Sequence, residues 1–365
     1  MKIPFYKTAL ILLLFNAFFI LSCQIRPFAE GRSTDKESKA QEKPLSDEEV
    51  ERMAGWNEEA DRRAPGDRFG EAIERAAALP PISPAGVKAS LINESYGAHS
   101  RNVFDFWMAE GMEPAPLIVF IHGGGFIRGD KSLLYESSQL DRLLDNGFAV
   151  AGVNYRFIHQ DEGAILTSLN DVKYFIQYVR YHADKLNIDK NRIGTYGGSA
   201  GGAASLWLAF SPDMAEPDSN DPILRETTRV SCVGAMATPS TLDLFQWKEI
   251  LNVPEFTERD FQEMLALYGL KNKEELETEK AEEIIRKVDM LGLMSPGDPE
   301  FYVYNNEKGG IPTGKGHSSH HPNHARALKE RAEEIGIPAV IGAPHIGIVP
   351  EKDETLIDFF VRILK

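Results

Sequence analysis

The chain has 365 residues, 42% of them hydrophobic and 26% charged, which is the make-up of a globular protein with material for one large core. Its formal net charge is −15, and no run of Lys and Arg is long enough to form a patch, so a nucleic-acid backbone is excluded as a partner. The excess Asp and Glu reads as solvated surface.

Lys2 and Lys7 precede an apolar block from Ala9 to Leu21 that is broken only by Asn16. A membrane-spanning helix needs ~20 apolar residues, so this block is short for one and suits the hydrophobic region of an export signal. It ends in Ile20-Leu21-Ser22-Cys23, which resembles the lipobox of bacterial lipoproteins. That resemblance implies removal of residues 1–22, lipid on Cys23, and a protein held at the periplasmic or outer-membrane surface. An ordinary cleaved signal with an incidental cysteine, or an uncleaved anchor, are the alternatives. The only other cysteine, Cys232, sits in the apolar run Val230 to Met236 and reads as a small buried hydrophobe, so no disulfide framework is expected.

Residues 23–46 are polar, mixed in charge and nearly free of aliphatic side chains, as in a flexible tether. Residues 47–94 form a lead-in, with a charged helical stretch from Asp47 to Ala78 that must end at Leu79-Pro80-Pro81. From residue 95 onward, short apolar runs alternate with helical periodicity, the pattern of a mostly parallel sheet covered on both faces. Val103 to Met108 reads as an early, half-exposed strand, whereas Pro116 to Ile121 and Gly147 to Val153 read as buried ones. A helix is expected to start near Asn170-Asp171, with Val172, Phe175, Ile176, Val179, Ala183 and Leu186 on one face. Further strands are expected before Ser199 and at Val230 to Met236, Phe301 to Tyr304 and Pro338 to Ile341, with a closing helix that carries Leu356, Phe360, Ile363 and Leu364 inward. About residues 243–296, no strand fits. That stretch reads as an insertion of glutamate-rich helices with a capping start at Thr257 to Asp260, acting either as a partial lid or as decoration on one side.

Gly197-Gly198-Ser199-Ala200-Gly201 follows the apolar run Arg192 to Tyr196 and spells a G-x-S-x-G turn, which holds its serine at a strand-to-helix corner. A serine hydroxyl needs a base to take its proton, and the oxyanion formed on attack needs preorganised donors. Upstream, His122-Gly123-Gly124-Gly125 follows the strand ending at Ile121 and matches an oxyanion loop. Gly124, Gly125 and the amide of Ala200 are the expected donors, and one such donor is worth roughly 2.7–4 kcal/mol in the transition state. A phosphate-binding turn is the competing reading of these glycines, without a Walker lysine or dinucleotide fingerprint to support it.

His122-Gly123-Gly124-Gly125, then Asn154-Tyr155-Arg156, then the serine turn look like the α/β-hydrolase fold, and within it the hormone-sensitive-lipase-like and ferulic-acid-esterase-like carboxylesterases. The resemblance runs from about residue 95 to the end. It implies a chain order of serine, acid, histidine, no cofactor, and a small-molecule ester as substrate. His345, after the last strand, is the expected base. The acid departs from the family pattern: no aspartate follows Phe301 to Tyr304, and Glu307 is the nearest carboxylate. Asp298 reads as a turn residue, and Asp171 with Arg156 as internal support. His317, His320, His321 and His324 fall within eight positions, to be read as a metal site or as a loop at the pocket rim, and no H-E-x-x-H motif or cysteine ligand joins them. No metal is assigned. The reading is a carboxylesterase; the alternatives are a serine peptidase or amidase on the same fold, or a non-catalytic binder that keeps the scaffold.

Overall fold

The computed structural model describes residues 68–253, 255–351 and 353–365. The export segment, Cys23 and the tether lie outside them. Helix α1 (Arg68–Ala77) leads in, and eight strands form one sheet: β1 (Leu91–Ser95), β2 (Val103–Trp107), β3 (Ala115–Ile121), β4 (Ala149–Val153), β5 (Ile188–Gly198), β6 (Cys232–Met236), β7 (Phe301–Tyr304) and β8 (Ala339–Gly342). Their order is β1-β2-β4-β3-β5-β6-β7-β8. Both pairings of β2 are antiparallel and every pairing from β4 to β8 is parallel. This is the α/β-hydrolase fold.

The period-two geometry of a strand sends alternate side chains into two different cores. Leu117, Val119 and Ile121 of β3 enter the core shared with α3 (Ile165–Tyr181) and α4 (Ala200–Phe210), while Ile118 and Phe120 enter the one shared with α2 (Ser138–Asp145) and the C-terminal helix at Leu356–Leu364. Both faces are therefore dry, which is why β3 and β4 read as unbroken apolar runs.

Two local expectations change. The strand at Val103 is buried rather than half-exposed, because β1, which lacks any apolar alternation, pairs outside it and takes the edge. The long helix begins at Ile165 instead of Asn170: buried Ile165 and Leu169 extend the Val172–Ile176 face by more than a turn, while Thr167 and Ser168 bond their hydroxyls to Asp161 and the carbonyl oxygen of Arg156.

Among the described residues, the stretch from Asp243 to Pro296 contains helices and no strand, including α5 (Glu258–Tyr268) and α6 (Glu279–Val288). A capping box opens α5: the Thr257 N–H donates to Asp260 Oδ2 at 2.6 Å and the Asp260 N–H donates to Thr257 Oγ1 at 3.3 Å. After β7 come the short α7 (Lys315–His320), then α8 (Asn323–Ile335) and α9 (Leu356–Leu364). Several hydrogen bonds tie the insertion down: Trp207 of α4 donates its indole N–H to the carbonyl oxygen of Lys287, Asn323 donates its side-chain N–H to that of Ile250, and Arg331 donates its Nε–H to that of Leu291.

On the second-core face of β2, Asp105 is fully buried and meets Lys131 Nζ at 2.7 Å, the Asn93 N–H at 2.7 Å and the Tyr135 hydroxyl. Removing one member of such a pair strands the other charge in a low-dielectric interior. Lys131→Met is expected to lower unfolding free energy by about 3–5 kcal/mol. The double variant with Asp105→Leu should recover most of that loss in a urea titration.

Candidate active site

β5 ends at Gly198, α4 starts at Ala200, and Ser199 between them has φ 53° and ψ −119°. This backbone state is costly for a residue with a Cβ, and it is held from three sides. The Ser199 N–H donates to Met236 O at 2.9 Å, while Ser199 O accepts from the Ala203 N–H at 2.9 Å and from Thr238 Oγ1 at 3.0 Å. The flanking glycines answer to one atom: a Cβ on Gly197 would lie 2.2 Å from Ile121 O, and one on Gly201 would lie 1.9 Å from it. No other residue type permits the end of β3 to pack against the turn.

That packing carries the oxyanion loop to the serine. A Cβ on Gly123 would stand 3.6 Å from Ser199 Cβ. Gly124 has φ +115°, and a Cβ there would lie 2.1 Å from Arg128 O; Gly125 has φ +62°. Gly124 O turns away from the serine's corner to accept from the N–H groups of Ile127 and Arg128. Ala200 opens α4, so its amide is among those without an intrahelical acceptor. Of the three expected donor residues, Ala200 follows Ser199 directly, and Gly124 and Gly125 follow Gly123, the glycine that stands against Ser199.

The histidine is not the expected one. Ser199 Oγ lies 2.7 Å from Nε2 of His320, the last residue of α7, a hydrogen bond in which the hydroxyl donates when the ring proton is on Nδ1. His345 instead sits exposed on a 3-10 turn, Pro344–Ile346, closed by reciprocal hydrogen bonds between Ala343 and Ile348. The turn directs Ile346, not His345, toward the loop after β7, where it abuts Gly309. The sequence does carry a sign of this: four histidines fall between His317 and His324, three of them on the long crossover from Asn305 to Pro322, and a histidine at the pocket rim is one reading of them.

The other three histidines fasten that crossover. The Nε2–H groups of His317, His321 and His324 donate to Lys308 O, Gly310 O and Ser318 O at 2.7, 2.9 and 3.0 Å. Their Nδ1 atoms accept from the Thr313 N–H, the Asn323 N–H and the Ser240 hydroxyl. With both nitrogens of each ring spent this way, His317, His321 and His324 act as neutral braces. Among the described residues, no group of three or more His, Cys, Asp or Glu is arranged to hold a metal ion.

Asn305 adds another brace, donating its side-chain N–H to His320 O at 2.9 Å. Glu307 lies two residues further along the same loop, its N–H bonded to Asn305 Oδ1 at 2.9 Å, and its side chain reaches the surface. Asp298 is engaged by Arg229 and by the Ser295 N–H, as a turn residue. Asp171 forms a bidentate pair with Arg156, with Nη2 to Oδ1 at 2.6 Å and Nε to Oδ2 at 2.9 Å, which holds the start of the 156–161 loop. Cys232 is buried in the sheet, and burial raises its thiol pKa.

Burial holds two histidines neutral: His324 titrates at about 3 and His122 at about 4, both below the ordinary value. In the unfolded chain both take up protons near pH 6.5, so the unfolded state binds more protons throughout the interval between. Stability is therefore complete above pH 6.5 and falls as pH drops toward 4, approaching about 1.4 kcal/mol per pH unit for each group. A melting series from pH 7.5 to 4.5 should show a falling Tm, with a shallower fall in His324→Leu.

Comparison with known proteins finds esterases. Esterase LipC of Mycobacterium tuberculosis is 31% identical over 38% of this chain and 34% of its own length. A second protein of that organism, the probable carboxylic ester hydrolase LipM, is 29% identical over 33% of this chain and 28% of its own. The chain thus spans about a third of the curated relatives it matches. Among solved structures, a truncated form of a carbohydrate esterase from gut microbiota superposes with a TM-score of 0.58 at 20% identity, covering 77% of this chain and 98% of that one. A thermophilic esterase of Thermogutta terrifontis does so with a TM-score of 0.51 at 17% identity, covering 73% and 84%. The BD-FAE family model matches residues 104–305, from β2 through the serine turn to the end of β7, and the chain belongs to that family.

Proposed function

We propose that this protein hydrolyses carboxylic esters through an acyl-enzyme. The observation that carries the reading is the 2.7 Å contact between Ser199 Oγ and His320 Nε2 at the strained corner after β5. Ser199 Oγ attacks the ester carbonyl carbon while its proton passes to His320 Nε2. The carbonyl oxygen becomes an oxyanion, received by the amides of Gly124, Gly125 and Ala200. Collapse breaks the bond to the alcohol oxygen, which leaves with the proton from His320. Water then attacks the acyl-enzyme, gives its proton to the same nitrogen, and releases the acid and free Ser199.

Glu307 is the proposed acid. It belongs to the loop after β7, the place the family pattern gives to an acid, and Asn305 of that loop holds the His320 backbone. A carboxylate there would keep the His320 tautomer with Nε2 open and stabilise the imidazolium. Acetyl and feruloyl esters are the acyl groups to test first, in keeping with the family. Export and lipidation of Cys23, which would set the enzyme at a membrane surface, belong to the same proposal and rest on Lys2, Lys7, the apolar block and the lipobox-like run.

Ser199→Ala should abolish both hydrolysis of p-nitrophenyl acetate and covalent labelling by a fluorophosphonate. His320→Ala is expected to lower kcat about 10²–10⁴-fold, the range for removal of a general base. His345→Ala should leave kcat/KM within about twofold, because an exposed residue away from the reacting atoms contributes little. Retained activity in His320→Ala, or its loss in His345→Ala, overturns the assignment of the base. Metabolic labelling with palmitate, lost in Cys23→Ala, tests the anchor.

A further inference from the structure

Arg101 lies in the turn between β1 and β2, outside every motif of the family, yet its guanidinium ends beneath the oxyanion loop. Its Nε–H donates to Tyr155 O at 2.7 Å, and Nη2 donates to Gly129 O at 3.1 Å and to His122 Nε2 at 3.2 Å. The face of the group rests on Phe157, 3.8 Å from the ring centroid. A guanidinium has no acceptor and stays protonated, so the bond to His122 requires a lone pair on Nε2. The ring proton must then sit on Nδ1. From there it donates to Gly123 O at 2.8 Å.

The direction of that carbonyl decides the direction of an oxyanion donor. Gly123 O and Gly124 N–H belong to one planar trans peptide and point to opposite sides of the chain. Gly123 O points toward His122 and Gly129, where a Cβ on Gly129 would stand 2.3 Å from it, while a Cβ on Gly123 would face Gly198 and Ser199. Holding the carbonyl on the histidine side therefore turns the Gly124 amide toward the serine. Tyr155 locks the frame: its ring stacks on His122 at 4.3 Å, and its hydroxyl donates to His122 O at 2.8 Å.

We propose that Arg101 is a positioning residue of the oxyanion site, which selects the Nδ1–H tautomer of His122 and so aims the Gly124 amide at the developing oxyanion. This rests on the ester-hydrolase reading above. The other tautomer would present a bare Nδ1 lone pair to Gly123 O, and repulsion would turn the peptide and withdraw the donor. Lysine cannot replace arginine here, since one ammonium lacks the planar fork that spans Tyr155 O, Gly129 O and His122 Nε2 together.

The test compares Arg101→Ala and Arg101→Lys with the unaltered full-length protein. In ¹⁵N-histidine spectra, with His122→Gln used to assign the signal, the unaltered protein should show Nδ1 protonated and Nε2 accepting, and both variants should show a tautomer mixture. With p-nitrophenyl acetate, kcat should fall roughly 10- to 100-fold, less than for outright deletion of a donor, with KM within about twofold. Inhibition by a trifluoromethyl ketone, whose adduct carries an oxyanion, should weaken in the same proportion, and guanidinium chloride should partly restore kcat in Arg101→Ala. If Arg101→Lys folds and its His122 keeps the pure Nδ1–H tautomer, or if kcat is unchanged, the proposal is overturned. An unaltered protein that neither hydrolyses the ester nor labels with fluorophosphonate overturns the hydrolase reading, and the tautomer measurement still decides the role of Arg101.

Discussion

The carbonyl oxygen of Ile121 lies wedged between Gly197 and Gly201, with no room at either for even a methyl group. Everything at the candidate site follows from that approach. β3 and β5 are neighbours in the sheet, so their carboxyl ends emerge side by side, and the wedge brings the glycine loop after one against the serine after the other. Brought this close, main-chain groups of two segments far apart in sequence can address the same reacting carbon. The strain at Ser199 persists because β6, through Met236, and Thr238 grip the same residue from a third strand exit.

The second half of the site is built differently. His320 stands on a helix of one and a half turns, too short to be stable by itself. Its position comes from its surroundings: Asn305 on its carbonyl, three neutral histidines on the backbone of the same crossover, and the insertion behind them, where Trp247 meets the His324 ring edge-on at 4.9 Å. The insertion thus braces the histidine-bearing loop. Burial holds His321 and His324 below the ordinary histidine pKa, so the packing that positions His320 is tied to solvent pH.

The fold and the serine turn were legible in the sequence because their physics is local. Buried parallel strands must be apolar throughout, a tight turn needs glycine at fixed offsets, and the C-terminal helix shows its inner face at regular spacing. Phe301–Tyr304 and Leu356–Leu364 emerge where the pattern places them. The histidine was not legible because its selection is tertiary. Both His320 and His345 follow Glu307 and so satisfy the order serine, acid, histidine; His345 was expected because it follows the last strand, and only the path of the crossover decides which ring meets Ser199. Similarly, the tie between Arg101 and His122 joins residues 21 apart with no motif between them.

The turn that carries His345 is closed on itself by the hydrogen bonds between Ala343 and Ile348. On the proposed reading, with the base supplied from the preceding crossover, the segment joining β8 to α9 has no chemical duty and answers to packing through Ile346 and Ile348. Such a loop is a place where length and side chains can drift, or where a foreign segment can be grafted, provided the packing of Ile346 and Ile348 is kept.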